Sequence, residues 1–116
     1  MAKATVIMRA ELKTGVDRQE FENFQTNELA PQWEKAPGLL KASLLRCEKG
    51  EKKGSYLVIN TYESMEKYDQ AWPSWGEAGP SIQKWIATHQ ALWDKAFSFV
   101  DLYPLSDDIP VYVEID

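Results

Sequence analysis

The chain has one cysteine, Cys47, and one histidine, His89, among 116 residues. A lone cysteine closes no internal disulfide, which suits a reducing compartment, so a cytoplasmic location is expected. One His and one Cys on different elements make no zinc site, and neither HxxxE nor CxxC spacing occurs. No apolar run approaches the length that spans a bilayer. The first 14 residues carry Arg9, Glu11 and Lys13 where a signal peptide needs an unbroken apolar stretch. Basic runs go no further than Lys52-Lys53 and the net charge is −5, so nucleic acid and anionic membrane are not expected partners. Gly76 and Gly79 stand in neither a GxGxxG nor a Walker context, which leaves ATP, NAD and flavin without a binding motif. Cys47 has only Arg46 as a basic neighbour, and strand alternation sends Arg46 to the opposite face, so a catalytic thiolate is not indicated.

What the chain does have is apolar and aromatic material: 44% hydrophobic residues, with five Trp, five Tyr and four Phe. This is the composition of a folded globular protein, and the length fits a single domain over residues 1–116. A domain of this size is marginal for enclosing a large apolar cavity alone, which points to a partner subunit.

Ala4 to Leu12 alternates Val6, Met8, Ala10 and Leu12 with Thr5, Ile7, Arg9 and Glu11, the pattern of a half-buried strand. Asp17 with Glu20 three residues later forms a capping-box pattern, so a helix is expected next, with Phe21, Phe24, Leu29 and Trp33 on its buried side. Pro31 should kink or divide it. Leu39 to Cys47 reads as a second strand, apolar on both faces through Leu39, Leu40, Leu44 and Leu45 and therefore covered on both. The polar, glycine-bearing Glu48 to Gly54 is a hairpin loop into a third strand, Ser55 to Tyr62. Ser64 caps a short helix with Met65, Tyr68 and Trp72 on one side, ending at Pro73. After an irregular connection carrying Trp75, a final helix opens at Pro80 or Ser81. It yields near Phe97 to a fourth strand, Phe99 to Leu102.

The order strand, helix, strand, strand, helix, strand is the ferredoxin-like split βαβ arrangement: an α+β fold whose four-stranded antiparallel sheet carries helices on one face. The apolar second face of such a sheet is covered if two subunits pack sheet to sheet into a barrel, so a homodimer is expected. Ile109 to Ile115 alternates and adds an edge strand, within the subunit or across to its neighbour.

In this order of elements the chain resembles the dimeric α+β barrel superfamily, which includes antibiotic-biosynthesis monooxygenases, heme-degrading monooxygenases, stress-responsive barrel proteins and olivetolic acid cyclase. Local echoes are Ala36-Pro37-Gly38 before the second strand, Thr61-Tyr62-Glu63-Ser64 leaving the third, and Val100-Asp101-Leu102-Tyr103-Pro104 in the last. These are turn and packing signals, which speak for fold rather than activity. The resemblance implies a homodimer with one small-molecule pocket per subunit between sheet and helices. The chain also departs from the family's machineries. Ala4 to Leu12 holds no asparagine, the region after Ser64 has Trp72 and no histidine, and the third strand offers Leu57 and Ile59 where cyclase-like members carry a histidine.

His89 is the expected catalytic residue, because helical stepping places Ile82, Trp85, Ile86, His89, Trp93, Ala96 and Phe97 on one face. An imidazole in apolar surroundings is disfavoured in its charged form, which leaves a neutral base or an axial ligand for heme. The alternative is a core histidine bonded to a backbone carbonyl or a tyrosine hydroxyl. Trp72, Trp75, Trp85 and Trp93, with Phe21 and Phe24, are candidate walls for an apolar ligand, and a helical stripe of such residues also serves as plain core. Arg9 and Asn60 are candidates to hold a developing oxyanion, and Tyr56 and Tyr62 are candidate donors; paired with Glu11, Arg9 would instead be an ordinary ion pair. Three functions remain open on these residues. One is a cofactor-independent monooxygenase or cyclase-like enzyme acting on a polyketide-like aromatic or fatty-acyl compound. The others are a non-catalytic binding or stress-associated protein, and a heme-binding protein.

Overall fold

The structure is a computed structural model that describes residues 2–74, 76–105 and 110–115. Trp75 and Ile109 therefore lie outside the described residues. The elements are β1 (Ala4–Leu12), α1 (Arg18–Phe24), a π-helical turn (Gln25–Leu29), α2 (Ala30–Trp33), β2 (Leu39–Arg46), β3 (Tyr56–Tyr62), α3 (Met65–Ala71), α4 (Pro80–Thr88), α5 (Gln90–Phe99), β4 (Val100–Pro104) and β5 (Val111–Val113).

The sheet is antiparallel with strand order β2-β3-β1-β4, the ferredoxin-like order. Its alternation follows the sequence. Ala4, Val6 and Ala10 of β1 and Tyr56, Val58, Asn60 and Tyr62 of β3 are buried, while the residues between them are half-buried. A bulge at Leu39/Lys41 lets β2 take up the extra residue Leu40, which is left exposed. β5 pairs with β1 over Ala4 to Val6, and β4 pairs with it over Met8 to Leu12, so the tail strand continues along the same edge of its own chain's sheet.

The first helix is not divided by Pro31. The backbone stays helical from Arg18 to Trp33, with the π turn placed just before the proline. Proline lacks the N–H for an i−4 bond and crowds that carbonyl; a wider turn at this point absorbs both defects without a break. The helix carrying His89, expected to be continuous, is two helices. His89 is the junction residue, with φ −118° and ψ 33°, and α5 runs on to Phe99, so β4 begins later than the sequence suggested. Asp17 caps α1 through the N–H of Gln19 at 3.3 Å, and Ser64 caps α3 through that of Lys67 at 3.2 Å.

Two glycines hold the layers together. Gly38 enters β2 at φ +83°, a conformation that side chains rarely adopt. Gly79, the N-cap of α4, approaches α3 so closely that a Cβ would lie 2.0 Å from the Gln70 carbonyl oxygen. The helix-facing side of the sheet, with Phe21, Phe24, Trp33, Ile82, Trp85 and Phe99, forms the core. The other side carries Ile7, Leu57 and Ile59 together with Leu45 and Tyr112, which are 52% and 53% exposed in the single chain. No helix among the described residues is long and apolar enough to cross a membrane.

Candidate functional site

A cavity of about 620 Å³ opens between the sheet and its helices. Val6, Met8, Val58, Asn60 and Tyr62 form its floor. Phe21, Gln25, Leu29 and Trp33 wall it from the first helical segment, Trp93, Ala96 and Phe97 from α5, and Tyr68 and Trp72 from α3 and its C-cap. The walls are mostly apolar and aromatic, with a few polar groups set among them, which is the general make-up of a small-molecule site.

Two of those polar groups are oriented by tryptophans. Trp33 donates its indole N–H to Oδ1 of Asn60 at 3.3 Å, and Trp72 donates to the hydroxyl oxygen of Tyr62 at 2.9 Å. Indole nitrogen is a donor only, so each contact occupies the acceptor of its partner and leaves the donor unspent. For Asn60 it also fixes which end of the carboxamide faces the tryptophan, turning Nδ2 away. Asn60 and Tyr62 are two apart on β3 and so share the cavity face. The result is an amide N–H and a phenolic O–H presented side by side in an otherwise apolar floor. Burial pushes the Tyr62 phenol up to about 12, although the Trp72 hydrogen bond works against this. Tyr62 is thus a proton-bearing donor at neutral pH. Tyr68, edge-on to Tyr62 with ring centroids 5.3 Å apart, is likewise raised by burial and, secondarily, by the charge of Asp69.

Of the residues expected at the site, Phe21, Asn60, Tyr62, Trp72 and Trp93 line the cavity, and Trp75 is outside the described residues. The remaining ones lie elsewhere. Phe24 packs on Phe99 in the core, and Trp85 packs edge-on to Trp33 with its Nε1 buried and unpartnered among the described residues. Tyr56 is buried at the other end of β3, where its hydroxyl donates to Glu22 at 2.6 Å. Arg9 lies on the opposite face of the sheet, ion-paired with Glu11 at 2.7 Å and over the Tyr103 ring. His89 is half-buried at the α4–α5 junction. Its ring stacks on Trp85 at 4.2 Å, and its Nδ1 bonds to the Trp85 carbonyl at 2.9 Å, the contact expected of a core histidine. A carbonyl only accepts, so the proton is on Nδ1 and Nε2 is the free nitrogen. The ring is not part of the cavity wall, which leaves the cavity without the imidazole that heme ligation through His89 requires.

Among the wall residues not singled out for the site from sequence are Gln25, Trp33 and Tyr68. Gln25 did carry a signal, since it lies four residues from both Phe21 and Leu29 on the side expected to be buried. Among the described residues, the one carboxylate on the cavity wall is Asp101, more than half exposed and 3.8 Å from Lys13.

These features define a ferredoxin-like α+β domain with a ligand-sized cavity between its layers. No family model matches the chain, and no curated protein matches it in sequence. Among solved structures it is similar to SnoaB, a cofactor-independent oxygenase from Streptomyces nogalater, with a TM-score of 0.59 and 13% identity over 100% of this chain and 96% of that one. A variant of SnoaB with one asparagine changed to alanine superposes with a TM-score of 0.55 and 14% identity, covering 98% and 92% of the two chains. An EthD-family protein from Bacillus halodurans gives a TM-score of 0.55 and 19% identity over 99% of this chain and 100% of that one. At these identities the similarity establishes the fold and leaves the chemistry to the residues.

Proposed function

We propose that the protein is a homodimer that binds one mostly apolar, polyketide-like aromatic molecule per subunit in this cavity. Asn60 Nδ2 and Tyr62 Oη–H receive an oxygen of the ligand. The observation that carries the reading is the pair of indole N–H groups that spend the acceptors of Asn60 and Tyr62 and leave two adjacent donors free in an apolar floor. Such a floor rewards a ligand that combines flat apolar area with a carbonyl, phenol or enolate oxygen. The exposed Leu45 and Tyr112 on the opposite sheet face support dimerisation, because a second sheet would remove that apolar area from water.

Calorimetric titration with naphthol tests the binding. Micromolar affinity in the wild type and about tenfold weaker affinity in Asn60→Leu, the loss of one well-placed hydrogen bond, are expected. Equal affinity in the two proteins would overturn the assignment of the floor. Sedimentation at micromolar concentration tests the dimer, which a monomer would rule out.

A second reading, favoured by the fold shared with a cofactor-independent oxygenase, is that the same two donors stabilise a bound enolate that reacts with oxygen. Anthrone is a suitable probe: with one O2 it gives anthraquinone and one water, so oxygen uptake equals quinone formed. His89, which lies off the cavity wall, supplies no proton transfer in this reading. Uptake that is fast with wild type and slow with Asn60→Leu supports it, and no uptake above the protein-free rate reduces the function to binding.

A further inference from the structure

Gln25 is the feature of this cavity that the floor does not explain. It lies at the start of the π turn, is 93% buried by its 7% exposure, and lines the cavity from the helix layer, across from Asn60 and Tyr62. Its backbone carbonyl accepts from the Ala30 N–H, but its side chain makes no hydrogen bond among the described residues. Nor is its carboxamide sealed in packing. The one sealed, unpartnered side-chain atom among the described residues is Trp85 Nε1, so the amide of Gln25 faces open space. A carboxamide that reaches open space but no protein partner is left free for a ligand, whereas an apolar residue between Phe21 and Leu29 would simply extend the core.

We propose that Gln25 determines the ligand's specificity. On the reading that the floor binds one ligand oxygen, the carboxamide of Gln25 takes a second. It selects flat aromatic compounds with oxygens on both sides of the ring system over those with one. The carboxamide offers a donor and an acceptor, so it serves a hydroxyl or a carbonyl equally. The π turn is the structural means. Widening the helix by one residue keeps both Gln25 and Leu29 on the cavity wall ahead of Pro31, and π turns inside helices are often found at functional sites. Gln25 also borders a smaller groove, of about 360 Å³, shared with Glu34, Ala42 and Ser43. A carboxamide committed to that groove would give no such selection.

The experiment compares naphthol with a dihydroxynaphthalene whose hydroxyls are on opposite rings, titrated calorimetrically into wild type and Gln25→Met, a substitution of similar volume and good helix propensity. The wild type is expected to prefer the diol about five- to tenfold, the worth of one hydrogen bond. Gln25→Met is expected to lose the preference, binding naphthol and the diol within about twofold of each other. A wild type that binds naphthol without preferring the diol overturns the role of Gln25 while leaving the floor standing, and this arm needs no variant. A preference that survives in Gln25→Met overturns it as well. If neither compound binds the wild type, the floor reading falls and the Gln25 proposal falls with it. Should Gln25→Met fail to fold, Gln25→Leu carries the same comparison.

Discussion

Tyr56 and Tyr62 stand at opposite ends of β3 on the same face, both about 1% exposed and both hydrogen-bonded through their hydroxyls. Their partners separate them. Tyr56 meets a carboxylate: it donates to Glu22, which Arg46 also grips through contacts of 2.7 and 2.9 Å. Its proton is spent, and burial followed by the Glu22 bond keeps the phenol from ionising. Tyr62 meets an indole donor instead, so its own proton stays available to the cavity. The same residue type is thus a tie at one end of the strand and a donor at the other, according to whether a neighbouring helix brings up an acceptor or a donor.

The largest effect that sharpens this contrast is expected at Phe21, which packs edge-on to Tyr56 with ring centroids 5.0 Å apart and also lines the cavity. Phe21→Ala should lower unfolding free energy by about 3–5 kcal/mol, seen in the denaturant midpoint, and weaken naphthol binding as well. The two tyrosines should then part. Tyr62→Phe is expected to reduce affinity about tenfold, and Tyr56→Phe to leave affinity unchanged while costing about 1–3 kcal/mol of stability, because its bond is to a charged group. Loss of binding in Tyr56→Phe with no loss in Tyr62→Phe would reverse the assignment.

A smaller effect separates the ends by pH. The Tyr56 hydrogen bond, and then Arg46, holds Glu22 below its ordinary value of 4.5. A depressed folded value means stability that is present above the unfolded value and lost as pH falls through the folded one. The denaturant midpoint should therefore drop on acidification below about pH 4.5, and Tyr56→Phe and Glu22→Gln should flatten that drop. An undiminished acid dependence in both variants would remove Glu22 from the account. The smallest expected effect is none at all. With its phenol raised to about 12, Tyr62 stays protonated, so affinity for a non-ionising ligand should be flat between about pH 6 and 9. A titration of affinity inside that window would mean that another group reaches the ligand.

Much of the fold was legible because it rests on local periodicity. β1 and β3 show the period-two pattern plainly, and their burial follows it residue by residue. The break at His89 was not legible. No Gly or Pro marks it, and the N–H of His89 still bonds to the Trp85 and Ile86 carbonyls while Trp93 bonds back to His89, so the apolar phase runs across the junction. Trp72 and Trp93 were read as walls and do line the cavity, but Trp85 of the same stripe is core. Helical phase says that these side chains point inward and is silent on whether they meet space or one another.

The sequence by itself determined the element order, the antiparallel ferredoxin-like layering and the apolar character of the interior, since each follows from spacing and chain neighbours. Only the tertiary structure decided which polar side chains are free. Whether Asn60, Tyr62, Tyr56 or Gln25 has a donor to spare depends on what Trp33, Trp72 or Glu22 brings across from another element. Hydrogen bonds saturate atom by atom between groups distant in the chain, and such pairing leaves no period in the sequence.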